Sequence, residues 1–160
     1  MRLPLQFLAI VALSPVAGVT DGAAAVTLER VWPGYRDAAS FTRLGEYFGA
    51  GPDAINAAAL RSQPQARAGY YWLIRTDATA AQSGCSLIIE VQRESNPVPD
   101  THTFSFDLSA GSHAIHAGLT GRDWIDSEER PVAWRLTLLS PDGTSLATQH
   151  SFLWERSSSS

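Results

Sequence analysis

Cys85 to Gln92 reads C-S-L-I-I-E-V-Q, and Thr103 to Leu108 reads T-F-S-F-D-L. In the first stretch Cys85, Leu87, Ile89 and Val91 alternate with Ser86, Ile88, Glu90 and Gln92. In the second Phe104, Phe106 and Leu108 alternate with Thr103, Ser105 and Asp107. A period of two is the pattern of a strand with one face buried, because successive side chains of extended backbone point to opposite sides. Arg93 to Thr101 (R-E-S-N-P-V-P-D-T) joins them, and its two prolines and polar residues predict an exposed loop.

Working outward, the same period recurs. Ile115, Ala117 and Leu119 share a face in His113 to Leu119, after a turn at Ser109 to Ser112. Trp134, Leu136 and Leu138 alternate with Arg135 and Thr137. Pro141-Asp142-Gly143 then predicts a hairpin turn into Thr144 to Trp154. Upstream, Tyr70, Trp72 and Ile74 lie on one face and Tyr71 and Leu73 on the other, so this strand needs cover on both sides.

The front of the chain mixes periods. Val26 to Val31 reads as an imperfect strand ended by Trp32-Pro33-Gly34. In Asp37 to Phe48, Phe41, Leu44 and Phe48 fall on one helical stripe, with Asp37 or Ser40 as candidate cap and Gly49-Ala50-Gly51-Pro52 as terminator. That stripe is the natural cover for the strand at Tyr70. Asp53 to Leu60 reads either as a further short helix or as a loop leading into a strand near Arg61. About seven strands with turns between them and no βαβ alternation predict a mainly β fold. The expectation is an antiparallel two-layer β-sandwich, immunoglobulin-like, with one N-terminal helix packed on it. It forms a single domain over 26–156 with a polar tail, Ser157 to Ser160.

Met1-Arg2, the apolar run Leu3 to Leu13 and the small residues after Ser14-Pro15 match a secretory signal peptide within residues 1–25, cut after Gly18 or after Ala25. The expected location is periplasmic or secreted, with no transmembrane segment, since a spanning helix needs about 20 apolar residues. The single Cys85 excludes an internal disulfide and reads as a small buried residue. Twelve basic residues against sixteen acidic ones give −4, and every basic residue is arginine. Lysine nucleophiles and the lysine phosphate loop are thereby excluded, and scattered arginines on an acidic chain argue against nucleic acid.

No catalytic motif stands out. His113 and His116 are three apart, so on a strand they face opposite ways, and no cofactor or metal is expected. There is neither a G-x-S-x-G nor an H-E-x-x-H. Asp123, Asp126, Glu128 and Glu129 form the densest acidic group; paired carboxylates can hydrolyse glycosides, and loop 123–129 offers oxygen ligands for calcium without the spaced Asp/Asn pattern and glycine of a calcium loop, but a run this polar is more often simply solvated. Trp72 and Trp134 read as core. Trp32, Tyr35 and Trp124 fall in expected loops, and an exposed Trp124 beside Arg122, Asp123 and Asp126 would suit a sugar ring, although loop tryptophans also close the ends of sandwiches.

The strand order, the hairpin L-L-S-P-D-G-T-S-L-A (Leu138 to Ala147) and the closing S-F-L-W-E (Ser151 to Glu155) resemble those of small exported bacterial immunoglobulin-like β-sandwich proteins that have no assigned function. The likeness spans Tyr70 to Glu155, rests on structural motifs and transfers no functional residue; the helix at Asp37 departs from the basic plan. The expectation is a non-enzymatic interaction or structural module of the envelope, with a protein or envelope component as partner. The alternative is a carbohydrate-binding module using the loop tryptophans.

Overall fold

The computed structural model describes residues 25–41, 43 and 59–154. Within them the strands are β1 (Val26–Arg36), β2 (Leu60–Arg61), β3 (Gly69–Ala78), β4 (Gln82–Arg93), β5 (Asn96–Leu108), β6 (Gly111–Thr120), β7 (Ala133–Leu139) and β8 (Ser145–His150), with one 3-10 turn at Gly121–Asp123. One sheet runs β1-β3-β6-β2 and the other β5-β4-β7-β8.

The alternating positions meet between the sheets. Tyr70, Trp72 and Ile74 of β3 and Ala117 and Leu119 of β6 pack with Leu87, Ile89 and Val91 of β4, Phe104 of β5, and Trp134 and Leu136 of β7. Each such side chain removed from water contributes roughly 1.5–3 kcal/mol, which makes this two-sided interior the main source of stability. Cys85 is buried with Ala78 and Leu108, and burial pushes its thiol pKa up.

The other face of β3 is covered as well. Phe41, 1% exposed, meets the Tyr71 ring edge-on at 4.9 Å, and Ala59 packs beside the pair. Asp37 caps the backbone here, its carboxylate accepting from the Ser40 N–H at 2.7 Å, and the chain is helical at Ser40, Phe41 and Arg43. The remainder of the expected helix, Leu44 and Phe48 included, and Asp53 to Ala58 lie outside the described residues.

Four sequence expectations change. β1 does not stop at Trp32-Pro33-Gly34 but runs to Arg36, those three residues facing Leu73, Trp72 and Tyr71. Pro33 is tolerated because β1 is an edge strand, where a missing N–H can face away from the neighbour. The same reason removes the expected loop at Arg93 to Thr101. β4 and β5 form a tight hairpin, Arg93 opposite Asn96, and Pro97 and Pro99 sit within edge strand β5. The fold is not wholly antiparallel, since β2 pairs in parallel with β6, Leu60 opposite Ala117. Finally, the last strand ends at His150, four residues before Trp154. The Pro141-Asp142-Gly143 hairpin forms as expected: Gly143 takes φ +85°, and Asp142 accepts from Thr144 N and Ser140 Oγ. Those hydrogen bonds, Ser140's first, hold the Asp142 pKa down to about 2.

Candidate functional site

The acidic residues singled out from the sequence, together with Trp124 and Tyr35, gather at one end of the sandwich, where β3 begins and β6 ends, Gly69 opposite Thr120. Gly121 turns the chain with φ +59°, and the 3-10 turn delivers Trp124, whose N–H donates to Gly121 O at 3.1 Å. The loop then crosses to the second sheet and enters β7, Val132 N donating to Gln92 O at 2.9 Å.

Three sets of contacts fix this loop. Thr120, fully buried, accepts from Gln63 N at 3.1 Å and donates to Gln63 O at 3.0 Å, while its own N–H donates to Ser62 Oγ at 3.0 Å. Gln63 Nε2 in turn donates to Asp123 Oδ2 at 2.9 Å. Partial burial would raise the Asp123 pKa, but the hydrogen bonds from Gln63 and Ser62, aided by His102 and Arg122, outweigh it and lower the pKa. The third set centres on Arg93 at the end of β4. It donates to Asp123 O, pairs with Glu129 at 2.9 Å, lies 3.1 Å from Asp100 without completing a hydrogen bond there, and stacks over the Trp124 ring at 4.1 Å.

Trp124 is therefore no exposed platform. It is 2% exposed, with the Tyr70 ring 4.7 Å away on one flank and the Arg93 guanidinium over it. Of the two readings that the sequence left open for Trp124, sugar platform and closure of the sandwich end, its burial fits closure. The burial comes from Tyr70 and Arg93, which the sequence does not place nearby. The carboxylates are similarly engaged: Asp123 with Gln63, Glu129 with Arg93, and Asp126 accepting from Glu128 N at 2.8 Å. Among the described residues no three histidine, cysteine, aspartate or glutamate side chains are grouped so as to hold a metal ion.

Beside Trp124 the surface sinks into an open depression of about 640 Å³, lined by Tyr35, Arg67, Ala68, Gly121, Trp124 and Ile125 among others. Ile125 is 81% exposed at its rim. Of the six residues named from the sequence, Tyr35 and Trp124 meet here; Arg122, Asp123 and Asp126 belong to the loop behind them. Trp32, on the other face of β1, lines a separate small hollow with Arg36, Phe41, Tyr71 and His116. Neither Trp32 nor Tyr35 lies in a loop. Trp32 remains 37% exposed, with the Arg30 guanidinium 5.3 Å from its ring.

Sequence reasoning missed Arg93, Gln63, Thr120, Arg67 and Ile125 because their roles depend on contacts between distant segments. His116, weighed from the sequence only as a metal ligand, is nearly buried on the outer face of β6, and burial and the nearby Arg36 charge depress its pKa to about 4. No family model matches the chain, and no curated protein does. Among the described residues no helix is long and apolar enough to cross a membrane.

Proposed function

We propose that the chain is an exported, non-enzymatic sandwich module of the cell envelope that acts by surface contact, with the depression at Tyr35, Arg67, Trp124 and Ile125 as its contact face. The observation that carries this reading is the state of the polar groups at this end. Asp123, Glu129 and Arg93 serve as fasteners of the loop, and what they leave facing outward is a broad, shallow apolar hollow with an arginine in its wall. A side chain so exposed as Ile125, at the edge of such a hollow, is a common mark of a protein-binding surface.

The immunoglobulin-like plan is supported by the sheet orders: without short β2, they read β1-β3-β6 against β5-β4-β7-β8. A leader cut after Gly18 suits the contacts of Ala25, whose N–H donates to Thr79 Oγ1 and whose carbonyl accepts from Thr79 N, both at 3.0 Å.

The test places a photo-crosslinking residue at Ile125 and, as control, at Ser145 in the exported chain. A discrete crosslinked species from position 125, weakened by Arg67→Glu and missing at 145, is the expected result. Equal crosslinking from both positions, or none from 125, refutes the reading. The carbohydrate alternative rests on Trp32, the tryptophan that keeps an exposed surface. It predicts that a polysaccharide retards the chain in affinity gels and that Trp32→Ala abolishes the effect.

A further inference from the structure

Among the described residues the two sheets have four edges, and these are not equally guarded. An edge strand exposes a row of unpaired backbone groups, and proteins blunt such rows with prolines, charges, bulges or extreme shortness. β1 carries Pro33, a register shift between Leu28 and Arg30, and the charged Glu29, Arg30 and Arg36. β5 carries Pro97, Pro99, Asp100 and Asp107. β2 is two residues long. β8, S-L-A-T-Q-H, has neither a proline nor an acidic or basic residue apart from His150. Its one irregularity lies beside the hairpin turn, opposite Leu138/Leu139, so Ala147–His150 is regular strand.

We infer that β8 is a self-association edge and that its occupant is the β8 of a second copy of this chain, paired antiparallel about a twofold axis at Thr148. The register sets the geometry. Ser151 N donates to Trp134 O at 2.9 Å, so residues 134 and 151 form a hydrogen-bonded pair, and the next pair, Arg135 with His150, does not. By the same alternation Thr148, opposite Thr137, turns its backbone N–H and C=O away from β7. Among the described residues β8 pairs only with β7, although β1 of the facing sheet passes close by, and Thr148 is exposed.

Charge selects the occupant. In an antiparallel twofold pairing only the residue on the axis meets its own copy; on β5 such a pairing can bring Asp100 against Asp107, whereas β8 carries no acidic residue and, apart from His150, no basic one to repel its copy. Centred on Thr148, it places threonine opposite threonine, a favourable cross-strand pair, and Leu146 opposite His150. No residue of β8 lines the depression, so the failure of either proposal leaves the other standing.

The test is the mass of the purified exported chain at high micromolar concentration, by sedimentation equilibrium. The expected result is a reversible dimer, with Thr148→Pro raising its dissociation constant at least about tenfold, because the proline removes the donor at the axis. Thr148→Cys, which keeps the strand intact, is expected to give a disulfide-linked dimer on mild oxidation, since paired Cα atoms about 5.5 Å apart admit the bond. Thr103→Cys on β5 is expected to stay uncrosslinked. A monomer at all concentrations overturns the proposal. So does a dimer that Thr148→Cys cannot trap, and the cysteine variant decides the matter even if Thr148→Pro does not fold.

Discussion

Replacing Arg93 with methionine keeps a long side chain over Trp124 but removes the charge and all the donors. The loss can be worked out from the contacts. A guanidinium donating to a carbonyl, as Arg93 does to Asp123 O, contributes about 1.5–3 kcal/mol where water is excluded, and Arg93 is 14% exposed. The pair with Glu129, itself 25% exposed, adds about 1 kcal/mol. Asp100, at 39% exposure and without a hydrogen bond, adds little after solvent screening. The cation over the Trp124 ring adds roughly 1 kcal/mol more, and because all these contacts share one guanidinium they do not sum fully. The expected cost of Arg93→Met is about 3 kcal/mol, or about 10 °C in Tm for a domain of this size. Urea unfolding followed by tryptophan fluorescence measures it, and a cycle with Glu129→Gln isolates the ion pair at no more than about 1 kcal/mol. A cost under about 0.5 kcal/mol would show that Arg93 does not fasten the loop, and the account of this end of the molecule would fail.

Two further predictions follow from the outer face of the β3 sheet. His116 binds its proton less readily folded, at about 4, than unfolded, near 6.5, so the stability that its neutral form confers is complete above pH 6.5 and declines as pH falls toward 4. The full difference is about 3 kcal/mol, and urea midpoints at pH 7 and pH 4.5 should separate far less in His116→Gln than in the wild type; equal separation contradicts the assignment. Gly118→Ala is expected to cost about 1–3 kcal/mol, because a Cβ there would lie 2.4 Å from the Tyr71 ring. Arg61 Nε donates to the Tyr71 hydroxyl, which donates to Arg67 O, so the ring cannot swing aside. An unchanged thermal midpoint would show that it can.

The interior was readable in the sequence because burial leaves a local signature. The alternation at Cys85 to Val91 and at Phe104 to Leu108, and the doubly apolar run at Tyr70 to Ile74, are each written within about eight residues. Boundaries were less readable. Pro33, Pro97 and Pro99 looked like breaks, yet edge strands do not need every donor, and which strand lies at an edge is decided by the whole sheet. The site was least readable. G-R-D-W-I-D-S-E-E-R has the composition of a solvated loop, but Gln63, 60 residues from Asp123, and Arg93, 36 from Glu129, tie it down. Local composition carries no trace of partners at that separation.

The central claim is that Trp124 closes the end of the sandwich from within, while Trp32 stays at the surface. Limited oxidation with N-bromosuccinimide, read residue by residue by mass spectrometry, tests it directly. Trp32 is expected to react first, and Trp72 and Trp124 to resist as long as the chain stays folded. If Trp124 is oxidised as fast as Trp32 in the folded protein, the loop is open, the indole is a surface platform, and the account is wrong.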